Sequence, residues 1–513
     1  MGVTGLHLCF LPWALGAMHI WSQFTSLGLS IIGFVLATLP RAETEDFPLV
    51  SGASRRPAAK LLRFPIFWAG LVLLGYIAVQ GFNPAWRYTS VGALWWVKPI
   101  PHVSWLPSGV EAPFFRSNSW RALTIDGSLW LLVCSVWAGF LRRKSYLALF
   151  TLLAANAFLL ALLGILQKLN GTYQIFWSYQ PSNYSFIASF IYPNHAGAYF
   201  NLMVALAAGL AWWHHQRARR HLEKPGLAVV LVLFAVFTGI AVVFSNSRMS
   251  IISLLAFTVF LGCTLGFRLF RQSGPVRDRA EFLPLAIALA GLLGIGLATS
   301  RVENAWARFA EMMSRPVVTD RARTLLRQAG GDMLRDRWLL GWGAGCFRYN
   351  FPDYARKYPE IHYFTNGKAE MYWEHAHDDL LEFPIELGAA GLLPLGVVLG
   401  CGAWQLGRRR FWRNAVSSCI VLGGALVLMH AWVDFVFQNP AVLLTWGVLL
   451  VGAARWAELD QPGGRRQAEV GVQPELGRPA GRAPVPAASG RSGDGRGGAE
   501  DESAELRSTR DEF

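Results

Sequence analysis

Long stretches of this chain run for a dozen residues or more without a charged side chain, among them Phe67–Val79, Ser145–Gln167 (one lysine follows it), Leu227–Phe244, Ile251–Gly266, Phe282–Thr299 and Ala415–Val433. An apolar run near 20 residues matches the thickness of a bilayer core at the helical rise, and a soluble core has no need of one. The shorter runs reach that length with their flanks. Composition agrees, since 53% of the 513 residues are hydrophobic and only 16% are charged. The fold class expected is therefore all-α and integral to a membrane. About 12 transmembrane helices are read, near 5–19, 22–39, 64–80, 127–141, 145–167, 187–213, 226–244, 249–267, 282–300, 383–406, 415–436 and 440–456. The first pair reads equally as one tilted helix. No cleavable signal peptide is expected, because the first 39 residues read as spans rather than as a charged region before a cleavage site.

The net charge of +14 invites a nucleic-acid reading, but the basic residues sit in clusters between apolar runs. Arg55, Arg56, Lys60 and Arg63 form one cluster, and Arg142, Arg143 and Lys144 the next. Arg217, Arg219, Arg220 and Lys224 follow, then Arg268, Arg271, Arg277 and Arg279, then Arg408, Arg409, Arg410 and Arg413. Every second connection is basic, which is the pattern of cytoplasmic loops. Both termini are then cytoplasmic, and the opposite side carries loops near 81–126, 168–186 and 301–382. Three regions follow: 1–184, N-terminal spans with an outer loop; 185–456, a core of spans with the large loop 301–382; and 457–513, a tail rich in Gly, Pro, Arg and Glu that reads as disordered. Cys346 alone of the six cysteines falls in the large loop, so no loop disulfide is expected.

Four segments carry candidate chemistry. Ser245-Asn246-Ser247-Arg248 lies between two spans on the side poor in basic residues. An arginine there either lines a cavity and meets an anion or snorkels to headgroups, and position alone does not choose. The large loop holds 12 basic and 12 acidic residues, so it is no polybasic patch. Within it, Asp320–Arg337 reads as an amphipathic helix with Leu325, Leu326, Ala329, Met333 and Leu334 on its apolar side and Arg321 and Arg323 at its start. Gly341-Trp-Gly-Ala-Gly345 follows, read as a tight turn in preference to a phosphate cradle.

The loop ends in His375-Ala-His377-Asp378-Asp379, which runs into a helix with Asp379, Glu382 and Glu386 on one face. A histidine beside carboxylates suits a general base. The H-x-H pattern also suits a metal, but no further His or Cys cluster supplies the remaining ligands, and no metal is expected. Last, Tyr192-Pro-Asn194-His195 opens a span, with Asn194 as a candidate N-cap.

In this order and topology, Asn194–Ala198, Ser245–Arg248, Arg323 with Gly341–Phe347, and His377-Asp-Asp-Leu-Leu through Glu386-Leu-Gly388 resemble the O-antigen ligase/polymerase family of bacterial inner membranes. The resemblance covers roughly residues 185–400. Asp378 stands where the family usually has Asn, Arg327 where an aromatic is common, and Arg321 competes with Arg323 for the family's loop arginine. The resemblance implies a multi-pass inner-membrane glycosyltransferase of GT-C-like architecture with one large late periplasmic loop. It implies transfer of a glycan from a polyprenyl (undecaprenyl) diphosphate carrier to an acceptor hydroxyl on lipid A–core, another glycan or a protein, with inversion and with neither metal nor cofactor. It assigns His377 as base and Arg248 and Arg323 to the diphosphate. Asn194, His195, Arg321, His375, Asp378 and Asp379 become substrate-side candidates, with Asp378 or Asp379 holding the His377 ring and Glu386 shaping the helix. Two other readings carried forward are a transporter of a small anion and a non-catalytic partner in envelope assembly. Lipids and the two glycan substrates are the partners expected, and nucleic acid is not.

Overall fold

The computed structural model describes residues 1–40, 57–92, 94–182, 185–222, 224, 226–271, 318–361 and 372–460, with the side chains of 265, 268–271 and 318–321 left out. The expected span near 282–300 and nearly all of the tail lie outside the described residues. The helices run, in chain order, α1 (Gly2–Trp13), α2 (Ile20–Thr38), α3 (Pro57–Leu62) and α4 (Pro65–Phe82). Three strands follow, β1 (Pro84–Val91), β2 (Leu94–Pro99) and β3 (Gly109–Glu111). Then come α5 (Ser119–Gly139), α6 (Arg143–Leu169), α7 (Pro193–His221), α8 (Gly226–Phe244) and α9 (Arg248–Arg271). The remainder are α10 (Val318–Asp336), α11 (Phe347–Ala355), α12 (Asp379–Arg408), α13 (Ala415–Ala431) and α14 (Pro440–Leu459).

Among the described residues, eight helices are long and apolar enough to cross a membrane, and α13 and the Arg248–Thr264 part of α9 are shorter apolar helices. The chain is an all-α, multi-pass membrane protein in its spanning part. The first expected pair is two helices, with a 3-10 turn over Leu15–Ala17 between them. With 12 residues, α1 is about 18 Å long and does not fill a bilayer core by itself.

The bundle is organised on α7, whose apolar stretch is 94% buried. Its small residues let neighbours come close. A Cβ on Gly423 of α13 would lie 2.5 Å from the Ala205 Cβ, and one on Gly209 would lie 3.0 Å from the Cys419 Cβ. Lipid offers helices little hydrophobic gain from associating, so close backbone packing of this kind holds them.

Two features depart from the expectation. The stretch read as an outer loop at 81–126 contains a three-stranded sheet of order β2-β1-β3, with β1 antiparallel to β2 and parallel to β3. Its alternating Trp86, Tyr88, Trp95 and Val97 pack with Val110 against Cys346 and Tyr349, as one face of a strand must. Neither Cys346 nor any of the other five cysteines forms a disulfide among the described residues.

The second departure is α12, which is broken at Gly388 (φ 62°, ψ 178°). The backbone freed there is taken up by the chain at 338–343. Ala389 N donates to Trp338 O (2.7 Å) and Ala390 N to Leu339 O (2.9 Å), while Trp342 N donates to Ile385 O (2.9 Å). From α4, the Tyr76 hydroxyl shares its one hydrogen between Leu340 O (2.7 Å) and Leu387 O (2.8 Å). Irregular backbone at such a depth persists only where protein satisfies it, and here it docks the end of α10 onto the bundle.

Candidate active site

The first turn of α12 gathers the histidines and acids. Asp378 is its N-cap and accepts from Leu381 N (3.2 Å). The other carboxylate oxygen of Asp378 accepts from Arg327 Nε (3.0 Å), and Arg327 Nη2 also donates to Trp432 O (2.9 Å). Arg327, which stands where the family usually has an aromatic, thus ties α10 to the start of α12 and to the end of α13. Asp379 accepts from Phe437 N (2.8 Å). Glu382 accepts from Ala376 N (2.7 Å) and Gln438 Nε2 (3.2 Å) and pairs with His375 Nδ1 (2.7 Å). Asp378, Asp379 and Glu382 are therefore all committed to holding the loop.

Neither Asp378 nor Asp379 holds the His377 ring. His377 Nδ1 lies 3.2 Å from Asp434 Oδ1, in the segment between α13 and α14. Asp434 also accepts from the Asn194 amide and from Phe435 N (2.9 Å). Asn194 is not the N-cap of α7, since Tyr192 occupies that position, so its side chain is left to reach Asp434. His195 is buried beneath, with Nε2 3.1 Å from Phe435 O. The Phe435 ring is the common packing surface. His375 stacks on it (centroids 4.8 Å), and His377 (4.6 Å) and His195 (5.1 Å) meet it edge-on.

Burial alone would raise the Asp434 carboxyl. The His377 hydrogen bond, the charges of His377 and His430, and the Phe435 N–H outweigh it and hold Asp434 at about 2. An ionised carboxylate only accepts, so Nδ1 of His377 carries a hydrogen, and Nε2 holds the lone pair whenever the ring is neutral. Nε2 makes no hydrogen bond with the described residues.

Arg248 opens α9. The Ser245–Ser250 turn before it is locked onto α7: Asn201 Nδ2 donates to Ser250 O (2.9 Å), Ser250 Oγ to Ser247 Oγ (2.8 Å), and a Cβ on Gly197 would lie 2.1 Å from Ser250 Oγ. The turn is rigid while the Arg248 side chain is exposed and makes no hydrogen bond or ion pair with the described residues. It stands outside the His377 network. Arg323, on α10, is likewise unpaired among the described residues, and together with Asp434 it is a charged neighbour of His430. The Arg321 side chain lies outside the described residues. Among the described residues no group of three or more His, Cys, Asp or Glu could hold a metal.

The glycine turn is fully occupied. Gly343 N donates to Glu386 O (3.0 Å) and Ala344 N to Gln80 Oε1 (3.0 Å). Gly345 N and Phe347 N donate to the two Glu386 carboxylate oxygens (2.8 and 3.0 Å). With Gly341 N and Trp342 N also bonded, no amide remains for a phosphate. The segment is a tight turn clamped by Glu386, which shapes the break in α12.

Asp434, Phe435, Gln438 and His430 were not among the residues read from the sequence. Asp434 had one signal, an acid at the end of an otherwise charge-free run. His430 is buried, and neither ring nitrogen has a partner among the described residues.

Residues 233–396, from within α8 through the first part of α12, match the model of the family described as O-Antigen ligase. The chain carries an O-antigen ligase domain. That domain supports glycan transfer of the O-antigen ligase type in kind. No curated protein matches the chain. The O-antigen ligase domain includes Arg248, Arg323, His375 and His377, whereas Asn194 and Asp434, which fix the His377 ring, lie on either side of it.

Proposed function

We propose that this O-antigen ligase-type protein transfers a glycan from a polyprenyl diphosphate carrier to an acceptor hydroxyl at the periplasmic face of a bacterial inner membrane, with both termini cytoplasmic. The observation that carries the reading is the His377–Asp434 pair: an imidazole fixed through Nδ1, at the loop-bearing end of a membrane bundle that also holds two arginines, with Nε2 and both arginines unengaged among the described residues.

Nε2 of His377 takes the proton of the acceptor hydroxyl as its oxygen attacks the anomeric carbon. The glycosyl–phosphate bond breaks, and its electron pair leaves with the carrier diphosphate. Arg248 and Arg323 meet the charge that develops there, since the guanidinium fork matches phosphate oxygens. The His377 imidazolium then loses its proton to water. A single displacement inverts the anomeric centre, and the residues named supply each role without a metal. The acceptor hydroxyl belongs to lipid A–core, to another glycan or to a protein. Asn194 and His195 set the position of Asp434 and Phe435, and His375, Asp378 and Asp379 set the loop. Arg321 joins Arg323 on the substrate side. An apolar crevice between α7, α8 and α9, walled by Val204, Gly239, Val243, Leu254 and Leu261, is the position for the prenyl tail.

Arg248→Lys tests the diphosphate role. It keeps the charge and loses the fork, so transfer should fall about tenfold or more, with the amount of membrane-inserted protein unchanged. Binding of undecaprenyl diphosphate by the purified variant should weaken in parallel. Full activity of Arg248→Lys would return this arginine to a headgroup contact.

A further inference from the structure

A second group of arginines, outside the transfer site, faces it from the sheet side. Arg116 follows β3, Arg121 lies in the first turn of α5, and Arg348 opens α11. The Arg116 guanidinium lies over the Tyr88 ring (5.0 Å), makes no hydrogen bond or ion pair with the described residues, and has its Nε buried without a partner. Arg348 lies over Tyr372 (5.4 Å) and pairs with Glu374 (2.9 Å), and its Nε is also buried and unpartnered. Arg121 spends its donors on neutral acceptors: Gln23 Oε1 (2.9 Å), Met18 O (2.6 Å) and Phe115 O (3.3 Å).

The three form one group. Arg348 and Arg116 are charged neighbours of both Tyr349 and Tyr372, and Arg348 is a charged neighbour of Arg121. Among the described residues, Glu374 is the one carboxylate paired with any of them, and its side chain is 51% exposed. Three guanidinium groups with one solvated carboxylate leave a positive field with unfilled donors. Aromatic faces surround them, with Trp95 edge-on to Tyr372 (5.5 Å) and stacked on Tyr88 (5.9 Å).

The patch is continuous with the transfer site. Glu374 precedes His377 by three residues and is a charged neighbour of Tyr192. The Tyr192 ring meets His195 (5.4 Å) and Phe435 (5.7 Å).

We propose that Arg116, Arg348 and Arg121, set among Tyr88, Trp95 and Tyr372, form an anion subsite that binds a phosphate- or carboxylate-bearing sugar of one of the two glycan substrates beside the transfer site. A guanidinium fork takes the acidic group. The electron-rich ring faces take the C–H face of the sugar. The class of ligand rests on the glycan-transfer reading above; the anion preference itself does not.

The purified full chain in nanodiscs tests it, with glucose 6-phosphate as probe and glucose as the uncharged control, read by ligand-observed NMR. Wild type should bind the sugar phosphate about tenfold more tightly than the sugar. Arg116→Gln should abolish the preference, Arg116→Lys should restore part of it, and Arg87→Gln, on the other face of β1, should keep it. In transfer assays Arg116→Gln should raise one KM about tenfold while kcat stays within about twofold. A raised acceptor KM assigns the subsite to the acceptor, and a raised donor KM assigns it to the carrier glycan. Equal binding of the two probes by wild type, or an undiminished preference in Arg116→Gln, overturns the proposal. A preference lost in Arg116→Gln, in a protein that transfers no glycan, supports the subsite and removes the transfer reading.

Discussion

His377→Ala should lower glycan transfer by about 10²- to 10⁴-fold, the range for loss of a positioned general base, with membrane-inserted protein and carrier-lipid binding little changed. The base acts on the acceptor and not on the diphosphate, so the loss falls on kcat. Asp434→Asn should follow it closely. The amide can donate to Nδ1, which then becomes the acceptor and leaves Nε2 protonated, so the base is present in the wrong tautomer. The pH profile separates the two residues. Asp434 is depressed to about 2, below its unfolded value near 4. Its contribution to stability is present above about pH 4 and is lost as pH falls towards 2. Asp434 is thus ionised throughout pH 6 to 9, and any titration of transfer in that range belongs to other groups. Transfer by His377→Ala at near wild-type rate across pH 6 to 9 would remove proton abstraction from His377.

Gly341→Ala should remove most of the folded protein. The backbone there is at φ 70°, and a Cβ would lie 2.3 Å from the Glu386 carbonyl oxygen and 2.6 Å from Gly388 N. Both neighbours are backbone at the break in α12, so neither can swing away. A left-handed non-glycine residue costs about 1–3 kcal/mol before the clash is counted. The control is Gly331→Ala, in α10, where a Cβ meets nothing within 4 Å. Helix propensity should there add about 0.5–1 kcal/mol of stability. Thermal unfolding of the two purified variants checks the contrast. An intact Gly341→Ala protein would mean that the 338–343 segment does not dock on α12 as described.

The spanning helices could be read from the sequence because charge-free length is a local property. So could α10, whose apolar stripe at helical spacing becomes the buried Leu326, Ala329 and Met333. The sheet was missed because its strands sit among Pro, Gly and Trp in a short loop, and their alternation means nothing until Cys346 and Tyr349 arrive from about 250 residues away. Distance also hid the partner of His377, which lies 57 residues further along the chain. Asp378 and Asp379 are adjacent in sequence, but one is used as a helix cap and the other to receive Phe437 N, and the ring turns to Asp434. The glycine turn carries three positive φ angles, which its composition announced. Which carbonyls crowd it was set by tertiary contact alone.

The account stands most directly on one measurement. The purified full chain, supplied with a glycan on undecaprenyl diphosphate and a hydroxyl-bearing acceptor, should release undecaprenyl diphosphate and form the glycosylated acceptor in equal amounts. The new linkage should have the anomeric configuration opposite to that of the donor. Release without product, product with retained configuration, or no consumption of the carrier-linked glycan under any acceptor would contradict it.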